Sequence, residues 1–198
     1  MVDAVARMLR QIEPLQRPPL ERWQPALSGD IDILIDEGGQ WFHDGALVTR
    51  QPLIRLFASI LRFEPSIGYV LVTPQEKWRI TVADAPFVAT ALATREQGGQ
   101  PTLCFVTNVG EEVVLDENHP LYLACSASAH ACSNGANGAN GDAAEISSAS
   151  AALKPYIVVR DHLSARLSRP VYYELVDGAV EHAGQFGVWS GHHFFPLC

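Results

Sequence analysis

The 198-residue chain lacks an excess of positive charge, since 14 Lys and Arg residues stand against 22 Asp and Glu residues, for a net charge of −8. Because phosphate backbones attract positively charged surfaces, this balance argues against a protein that follows DNA or RNA. No run of about 18 apolar residues occurs, so we expect no membrane-spanning helix and no membrane partner. The first ten residues show no basic start followed by an apolar run, so we expect no signal peptide and a cytoplasmic protein.

Cysteine is scarce as well, with four in the chain: Cys104, Cys125, Cys132 and Cys198. In a cytoplasmic protein we expect free thiols rather than disulfides. Cys125, His130 and Cys132 could approach a soft metal, but zinc sites usually need four ligands at tighter, paired spacing. His192 and His193 would point to opposite faces of one strand, so one ion could not easily bind both. The sequence therefore predicts no metal and no other cofactor.

Apolar residues make up 47% of the chain, and many lie in short alternating runs. Ile31, Ile33 and Ile35 would share one face of a strand, with Asp30 and Asp32 on the other face. We interpret the two aspartates as part of a solvated strand edge that blocks sheet-to-sheet pairing. Further strands are predicted at 40–43, 68–73, 77–82, 87–94, 102–107, 113–115, 156–159 and 171–176, with a last hairpin around residue 191.

Helical spacing is clearest over residues 53–61, where the apolar positions form one stripe and Thr49 is a candidate N-cap. A shorter helix is predicted over 162–168. Asp161 would cap its start, and Arg169-Pro170 would end it.

These elements divide the chain into three segments. Residues 1–17 are predicted to form a helix and an extended arm, residues 18–84 an N-terminal α+β domain, and residues 85–198 a C-terminal α+β domain. The stretch 126–153 is small, polar and of low complexity, so we predict a flexible insertion. The fold class expected is α+β, with two small, mostly antiparallel β-rich domains.

Two internal echoes favour repeated strand and helix motifs within these domains. The first is a pair of predicted hairpins that each contain a tryptophan, Trp41 in one and Trp189 in the other. The second is a spacing that occurs twice: Val72-Thr73 is followed by Pro86-Phe87, and Val106-Thr107 is followed at the same distance by Pro120-Leu121.

Two motifs that superficially suggest chemistry do not satisfy its requirements. Gly187-Val188-Trp189-Ser190-Gly191 places its serine one position late for a nucleophile elbow, which also needs a strand before it and a helix after it. Asn137-Gly138-Ala139-Asn140-Gly141 fits neither dinucleotide nor phosphate-loop spacing, which favours a linker. The sequence therefore offers no recognisable nucleophile.

The strongest candidate site is a basic one. Lys77 and Arg79 are predicted to project from the same strand face, and Arg160 to end a later strand. Such cations could bind an anionic group, and Asn108 could form hydrogen bonds to it. Trp189 could stack against a base, with the turn serine Ser190 beside it. The alternative is a charged outer face whose cations pair with nearby acids.

Several blocks of sequence resemble, in order and spacing, the bacterial family numbered 1285 among domains of unknown function, over residues 18–197. They include Tyr69-Val70-Leu71-Val72-Thr73-Pro74, Asp84-Ala85-Pro86-Phe87, Thr107-Asn108-Val109-Gly110, Arg169-Pro170-Val171-Tyr172-Tyr173-Glu174-Leu175-Val176 and Gly187-Val188-Trp189-Ser190-Gly191. The resemblance implies a two-domain α+β architecture with repeated motifs, a ligand cleft between the domains, a nucleotide-like ligand and a role in signalling. The chain departs from the family pattern in its long 126–153 segment and in its ending on Cys198 after His192-His193.

Three functions follow as hypotheses. The first is a regulatory module that binds a small anionic, nucleotide-like molecule between its two domains. The second is a small hydrolase or transferase that uses Asp30, Asp32 or Glu174 with a histidine. The third is an adaptor that binds another protein through an exposed apolar patch.

Overall fold

The structure is a computed structural model that describes residues 18–124 and 153–197. The predicted arm 1–17 and residues 126–152 of the predicted insertion lie outside the described residues. So do Cys125, Cys132 and Cys198, whereas Cys104 is a buried free thiol.

The N-terminal half forms one six-stranded sheet and one helix. Its first and last strands, β1 and β6, lie side by side at the centre and are parallel, and the other neighbours are antiparallel. The order across the sheet is β3-β2-β1-β6-β5-β4. The elements are β1 (Leu27–Ile35), β2 (Trp41–His43), β3 (Ala46–Leu47), α1 (Gln51–Ser59), β4 (Leu61–Glu64), β5 (Gly68–Val72) and β6 (Lys77–Val82).

The C-terminal half begins with a second six-stranded sheet of the order β10-β11-β12-β7-β8-β9. Here too the first and last strands, β7 and β12, are central and parallel. A helix and a three-stranded antiparallel sheet follow. The elements are β7 (Phe87–Gln97), β8 (Gln100–Thr107), β9 (Glu112–Val114), β10 (Leu121–Ala124), β11 (Lys154–Arg160), β12 (Leu163–Leu167), α2 (Arg169–Asp177), β13 (Val180–His182), β14 (Gln185–Ser190) and β15 (His193–Pro196).

The expected two-domain, β-rich architecture fits this arrangement. Strands far outnumber the two α-helices and the one short 3-10 helix, Leu20–Arg22, among the described residues, so the fold is more strongly β than the α+β prediction implied. The tryptophan echo does not relate equivalent strands, because Trp41 lies in the first six-stranded sheet and Trp189 in the three-stranded one. The dipeptide echo falls on strands at like places, because Val72 ends β5 and Val106 lies near the end of β8, and each of these strands is second from an edge of its sheet.

The order of elements after residue 160 was predicted wrongly. The expected helix 162–168 is strand β12, because Asp161 and His162 adopt positive φ angles of 35° and 66° and turn the chain back into a hairpin with β11. The expected strand 171–176 is helix α2, in which Pro170 occupies the first turn, where its missing N–H is tolerated. Val171 and Leu175, one helical turn apart, are its buried residues.

Two smaller expectations about the N-terminal half also need correction. Arg50, not Thr49, is the N-cap of α1, and no side chain of the described residues caps the helix. Asp30 and Asp32 belong to a central strand and not to an edge strand, because β1 is paired with β6 on one side and, over Ile33–Ile35, with β2 on the other, so β1 has a strand partner on one side only beside Asp30. The alternation itself is confirmed, since Ile31, Ile33 and Ile35 are all buried.

The hydrophobic core is continuous across the two halves. One cluster of contacting apolar side chains includes Ile33 and Phe57 from the N-terminal half and Phe87 and Phe105 from the C-terminal half. The chain's last strand joins it through Phe195, which is 8% exposed. The halves therefore pack as neighbours with a shared interior, and polar sites between them must lie at the margins of that core.

Candidate functional site

A cavity of about 670 Å³ lies where the two halves meet, and we call it the interdomain cavity. The N-terminal half contributes the segment before β1 and the last turns of α1, and the C-terminal half contributes the β8–β9 and β11–β12 turns. Its lining consists of Pro18, Pro19, Leu20, Glu21, Arg55, Ala58, Ser59, Val109, Gly110, Glu111, Arg160 and Asp161. The volume falls in the range of small-molecule sites.

Arg160 connects the halves along one wall of this cavity. Its Nη2 atom donates a hydrogen bond of 2.6 Å to the carbonyl oxygen of Ala58 in the last turn of α1, where unpaired carbonyls carry partial negative charge. Its Nη1 atom pairs with the carboxylate of Glu111, and the guanidinium carbon lies 5.3 Å from the centre of the Phe87 ring. Arg160 is therefore largely occupied by protein groups.

Arg55 is differently placed. It lies on the exposed face of α1, and its Nη2 atom is 3.5 Å from the point where a Cβ atom on Gly110 would stand. The side chain forms no hydrogen bond or ion pair with another residue of 18–124 or 153–197. Arg55 is thus a cation at the junction of the halves that is available to an anionic group, although Glu21 and Asp161 add negative charge to the same lining.

Lys77 does not project beside Arg79, so the predicted basic face does not form. Lys77 is only 8% exposed, and its Nζ atom lies 3.0 Å and 3.2 Å from the two carboxylate oxygens of Glu64. Arg62 pairs with the same carboxylate and also donates to the carbonyl oxygens of Leu20 and Trp23, which holds the segment before β1 in place. Neither Lys77 nor Arg79 lines the interdomain cavity.

Arg79 lies on the surface in an exposed ion pair. Its Nε and Nη2 atoms are 2.6 Å and 2.8 Å from the two oxygens of Asp30, its partner across the parallel β1–β6 pair. The hydrogen bond to Asp30 raises the pKa of Arg79, and the same bond lowers the pKa of the Asp30 carboxyl. Arg79 therefore fits the alternative to an anion-binding site that the sequence left open, a charged outer face on which cations pair with nearby acids.

The Glu64 ion pairs predict acid-sensitive stability. Burial tends to raise the pKa of Glu64, but the hydrogen bonds from Lys77 and Arg62 outweigh it and hold that pKa below its usual range. Glu64 therefore stabilises the fold fully above its unfolded-state pKa of about 4.3, and this contribution is lost as the pH falls through the lower folded-state pKa. We expect the gap in melting temperature between wild type and Glu64→Gln to be wide at neutral pH and to shrink on acidification.

The matched control for Glu64→Gln is Glu96→Gln, because Glu96 is exposed on β7. Its gap in melting temperature should be small at every pH. Thermal melts of the three proteins followed by circular dichroism from neutral to acid pH make the comparison, and a Glu64→Gln gap that does not change with pH would contradict the prediction.

Asn108 joins the halves rather than facing solvent. Its Oδ1 atom accepts a hydrogen bond of 3.0 Å from the backbone N–H of Val88, and its Nδ2 atom donates one of 2.8 Å to the carbonyl oxygen of Gly39. Gly39 belongs to the β1–β2 turn, so this amide fastens a turn of the N-terminal half to the C-terminal half. Asn108 does not line the interdomain cavity, although the next three residues do.

The last two predicted site residues belong to the three-stranded sheet. The Ser190 hydroxyl donates to the carbonyl oxygen of Leu115 at 2.7 Å and accepts from the N–H of Leu103 at 3.0 Å, so it attaches β14 to the second sheet. Trp189 is 43% exposed, with the rings of His182 and Phe194 centred 4.9 Å and 5.4 Å away. Both residues lie outside the interdomain cavity, so of the six predicted residues only Arg160 lines it.

A buried charged cluster that the sequence did not predict lies at the link between the halves. Asp84, 3% exposed, accepts a hydrogen bond of 2.6 Å from the Tyr156 hydroxyl and lies 3.2 Å from Lys154 Nζ and 3.3 Å from Arg166 Nε. Burial and the bond to Asp84 raise the pKa of Tyr156. Arg166 also donates to the carbonyl oxygen of Glu37 in the N-terminal half. These contacts assign the cluster a structural role.

The residues of the alternative catalytic hypothesis are not gathered in a cavity. Asp30 is occupied by Arg79, and Asp32 and Glu174 are exposed. None of the three lines the interdomain cavity.

Within the described ranges, no group of three or more His, Cys, Asp or Glu side chains is placed to hold a metal ion, and the candidates Cys125, His130 and Cys132 lie outside those ranges. No helix among the described residues is long and apolar enough to cross a membrane.

Comparison with known proteins identifies relatives over most of the chain. Residues 18–85 match the N-terminal domain model, and residues 86–133 and 142–197 the C-terminal domain model, of a family described as a domain or protein of unknown function, DUF1285. A crystal structure of a DUF1285 family protein from Silicibacter pomeroyi DSS-3 is 34% identical, with a TM-score of 0.77, and the match covers 98% of this chain and 94% of that one.

A second DUF1285 family crystal structure, from Shewanella baltica OS155, is 23% identical with a TM-score of 0.49, and the match covers 73% of this chain and 90% of that one. No curated protein matches the sequence. Since the family models span nearly all of residues 18–197, the chain belongs to the DUF1285 family.

Proposed function

We propose that the protein is a regulatory module that binds a small anionic molecule in the interdomain cavity, with Arg55 as the cation that receives the anionic group. The observation that carries the proposal is the position of Arg55, which lines a cavity of about 670 Å³ and has no protein partner among the described residues. A guanidinium presents several N–H donors in a fixed plane and pairs well with phosphate or carboxylate oxygens.

The mixed charge of the lining narrows the ligand class. Glu111 is neutralised by Arg160, but Glu21 and Asp161 are acidic and lie on the same lining as Arg55. A ligand with several anionic groups, such as a polyphosphate chain, would be repelled by these carboxylates more strongly than a ligand with one such group. We therefore propose a ligand with one compact anionic group, which binds at Arg55, and a larger part that forms hydrogen bonds. Nucleoside monophosphates meet this description, and they are also the kind of nucleotide-like ligand that the family resemblance implies.

The way the cavity is built supports a regulatory role. Its walls come from both halves, and Arg160 already links them through Ala58 and Glu111. A ligand that contacts both walls binds more tightly to one relative placement of the halves than to another, so binding shifts the population toward that placement. This coupling is the property required for a signalling function.

The test is thermal stability in the presence of nucleotides. A ligand that binds only the folded protein at about 100 times its Kd adds about 2.7 kcal/mol to the free energy of unfolding, which for a chain of this size raises the melting temperature by roughly 5 to 10 °C. We expect at least one nucleoside monophosphate at millimolar concentration to produce such a shift in the wild type, and Arg55→Gln to abolish it.

The matched control is Arg169→Gln, because Arg169 is an exposed arginine in the first turn of the other helix and does not line the cavity. This variant should retain the full shift. The absence of any shift in the wild type across the nucleotide panel, or an equal loss of the shift in both variants, would rule out the proposal.

A further inference from the structure

The interdomain cavity has more carboxylates than cations. Its ionisable lining residues are Glu21, Arg55, Glu111, Arg160 and Asp161. Arg160 and Glu111 form an ion pair, so their charges compensate each other. Arg55 is then the one cation left on the described lining for two carboxylates, those of Glu21 and Asp161. A ligand with an anionic group alone would leave both carboxylates without a partner, although a carboxylate is a strong hydrogen-bond acceptor.

Glu21 is carried by a main-chain segment that is fixed on both sides of it. It lies in the short 3-10 helix Leu20–Arg22, and Nη1 of Arg62 donates hydrogen bonds of 3.0 Å to the carbonyl oxygens of Leu20 and Trp23. The Glu21 carboxylate is exposed and forms no hydrogen bond or ion pair with another residue that the structure describes. It is therefore available to a ligand, while the backbone that carries it is held in place.

The α1 wall of the cavity adds negative charge. The helix ends at Ser59, and Ala58 and Ser59 both line the cavity. The last carbonyls of a helix carry partial negative charge, and the last turn of α1 contains no basic residue. Arg160 donates to one of these carbonyl oxygens, that of Ala58. Away from Arg55, the cavity thus favours a ligand part that presents N–H donors.

Among the purine bases, guanine presents the donors that suit a single carboxylate. Its N1–H and its 2-amino group lie side by side and point the same way, so the two oxygens of a carboxylate can accept one hydrogen bond from each, as they do from an arginine. Hypoxanthine has the N1–H without the amino group. Adenine has a hydrogen-bond acceptor at N1, which a carboxylate repels.

We infer that the interdomain cavity selects guanosine monophosphate (GMP), with its phosphate at Arg55 and with Glu21 accepting hydrogen bonds from the N1–H and the 2-amino group of the base. This inference rests on the proposed function, because it identifies the base of the proposed monophosphate ligand.

The first test is isothermal titration calorimetry of the wild type with GMP and with the monophosphates of inosine (IMP) and adenosine (AMP), which share its ribose and phosphate. A bidentate contact to a base discriminates against the wrong base by about tenfold or more, so we expect GMP to bind that much more tightly than AMP. IMP keeps one of the two donors and should bind with intermediate affinity.

Glu21→Gln is the variant that should remove the preference. A glutamine amide can accept one of the two hydrogen bonds but presents its own N–H to the other donor, so GMP and AMP should bind with similar affinity. AMP should bind no more weakly than to the wild type, because the substitution removes a negative charge from the lining. Glu21 is exposed, so the melting temperature should not fall.

Asp161→Asn is the matched control, because it removes one negative charge from the same lining. Asp161 has a φ angle of 35°, which asparagine also tolerates. The ratio of GMP affinity to AMP affinity should stay as in the wild type.

The guanine assignment and the proposed function fail in different ways. Equal affinities for GMP and AMP in the wild type, a preference for GMP that survives in Glu21→Gln, or an equal loss of preference in Asp161→Asn would each overturn the guanine assignment and leave the monophosphate site standing. If no nucleoside monophosphate binds the wild type, the proposed function is wrong and this inference is wrong with it.

Discussion

Asp84→Asn is expected to lower the free energy of unfolding by about 3 kcal/mol, because it removes the negative partner from a buried charged cluster. The Asp84 side chain is 1% exposed, and Lys154 and Arg166 lie within 3.3 Å of one of its oxygens. With a neutral amide at this position, two partly buried cations would face each other, and the only carboxylate left beside them among the described residues would be that of the exposed Glu37, 3.7 Å from Lys154 Nζ. Urea unfolding followed by both fluorescence and circular dichroism measures the change in midpoint at constant slope.

The control for this prediction is Asp30→Asn. Asp30 forms two short hydrogen bonds with Arg79, but the two side chains are 65% and 49% exposed, and exposed ion pairs contribute little. We expect a loss below about 1 kcal/mol. Equal losses in the two variants would show that burial of the Asp84 cluster has no energetic consequence.

Gly39→Ala is the second change with a large expected effect. Gly39 has a φ angle of 76°, and an added Cβ atom would stand 2.7 Å from Nδ2 of Asn108 and 2.9 Å from Cγ2 of Val88. The left-handed backbone costs a non-glycine residue about 1 kcal/mol, and the overlap adds roughly 2 kcal/mol. The Asn108 amide would have to move, which weakens its bonds to both halves, so we expect a loss of about 3 kcal/mol in total.

Gly45→Ala separates the two causes. Gly45 has nearly the same φ angle, 73°, and no atom of the described residues lies within 4 Å of the point where its added Cβ atom would stand. It should lose only the backbone contribution of about 1 kcal/mol. Chemical denaturation of both variants gives the difference, and similar losses for the two would show that the contact between Gly39 and Asn108 does not stabilise the junction.

The sequence predicted those elements whose burial alternates along a single strand or follows one helix face. The isoleucines of β1 and the stripe of α1 are both confirmed, because each pattern is local. The region after residue 160 was predicted wrongly because its signals have two interpretations. Arg169-Pro170 marks a helix end if it follows a helix and a helix start if it precedes one, and only the neighbouring strand β12 decides between them.

The candidate site was harder to predict, because the sequence shows where the basic residues are but not which carboxylate each of them will pair with in the fold. Lys77 and Arg79 are two positions apart, yet one is buried against Glu64 and the other is exposed with Asp30. Arg55 offered no signal, since an isolated arginine on an amphipathic helix is ordinary. Its significance depends on Gly110, which approaches it only after the halves pack together.

The central parallel pairs have a consequence for synthesis on the ribosome. In each six-stranded sheet the strand made first is joined to the strand made last, β1 to β6 and β7 to β12. Neither sheet can be completed until its final strand has left the ribosomal exit tunnel. Until then one edge of the earliest strand is unpaired and exposed. Nascent chains that stall just before β6 or β12 has left the tunnel should therefore be the species that chaperones hold longest.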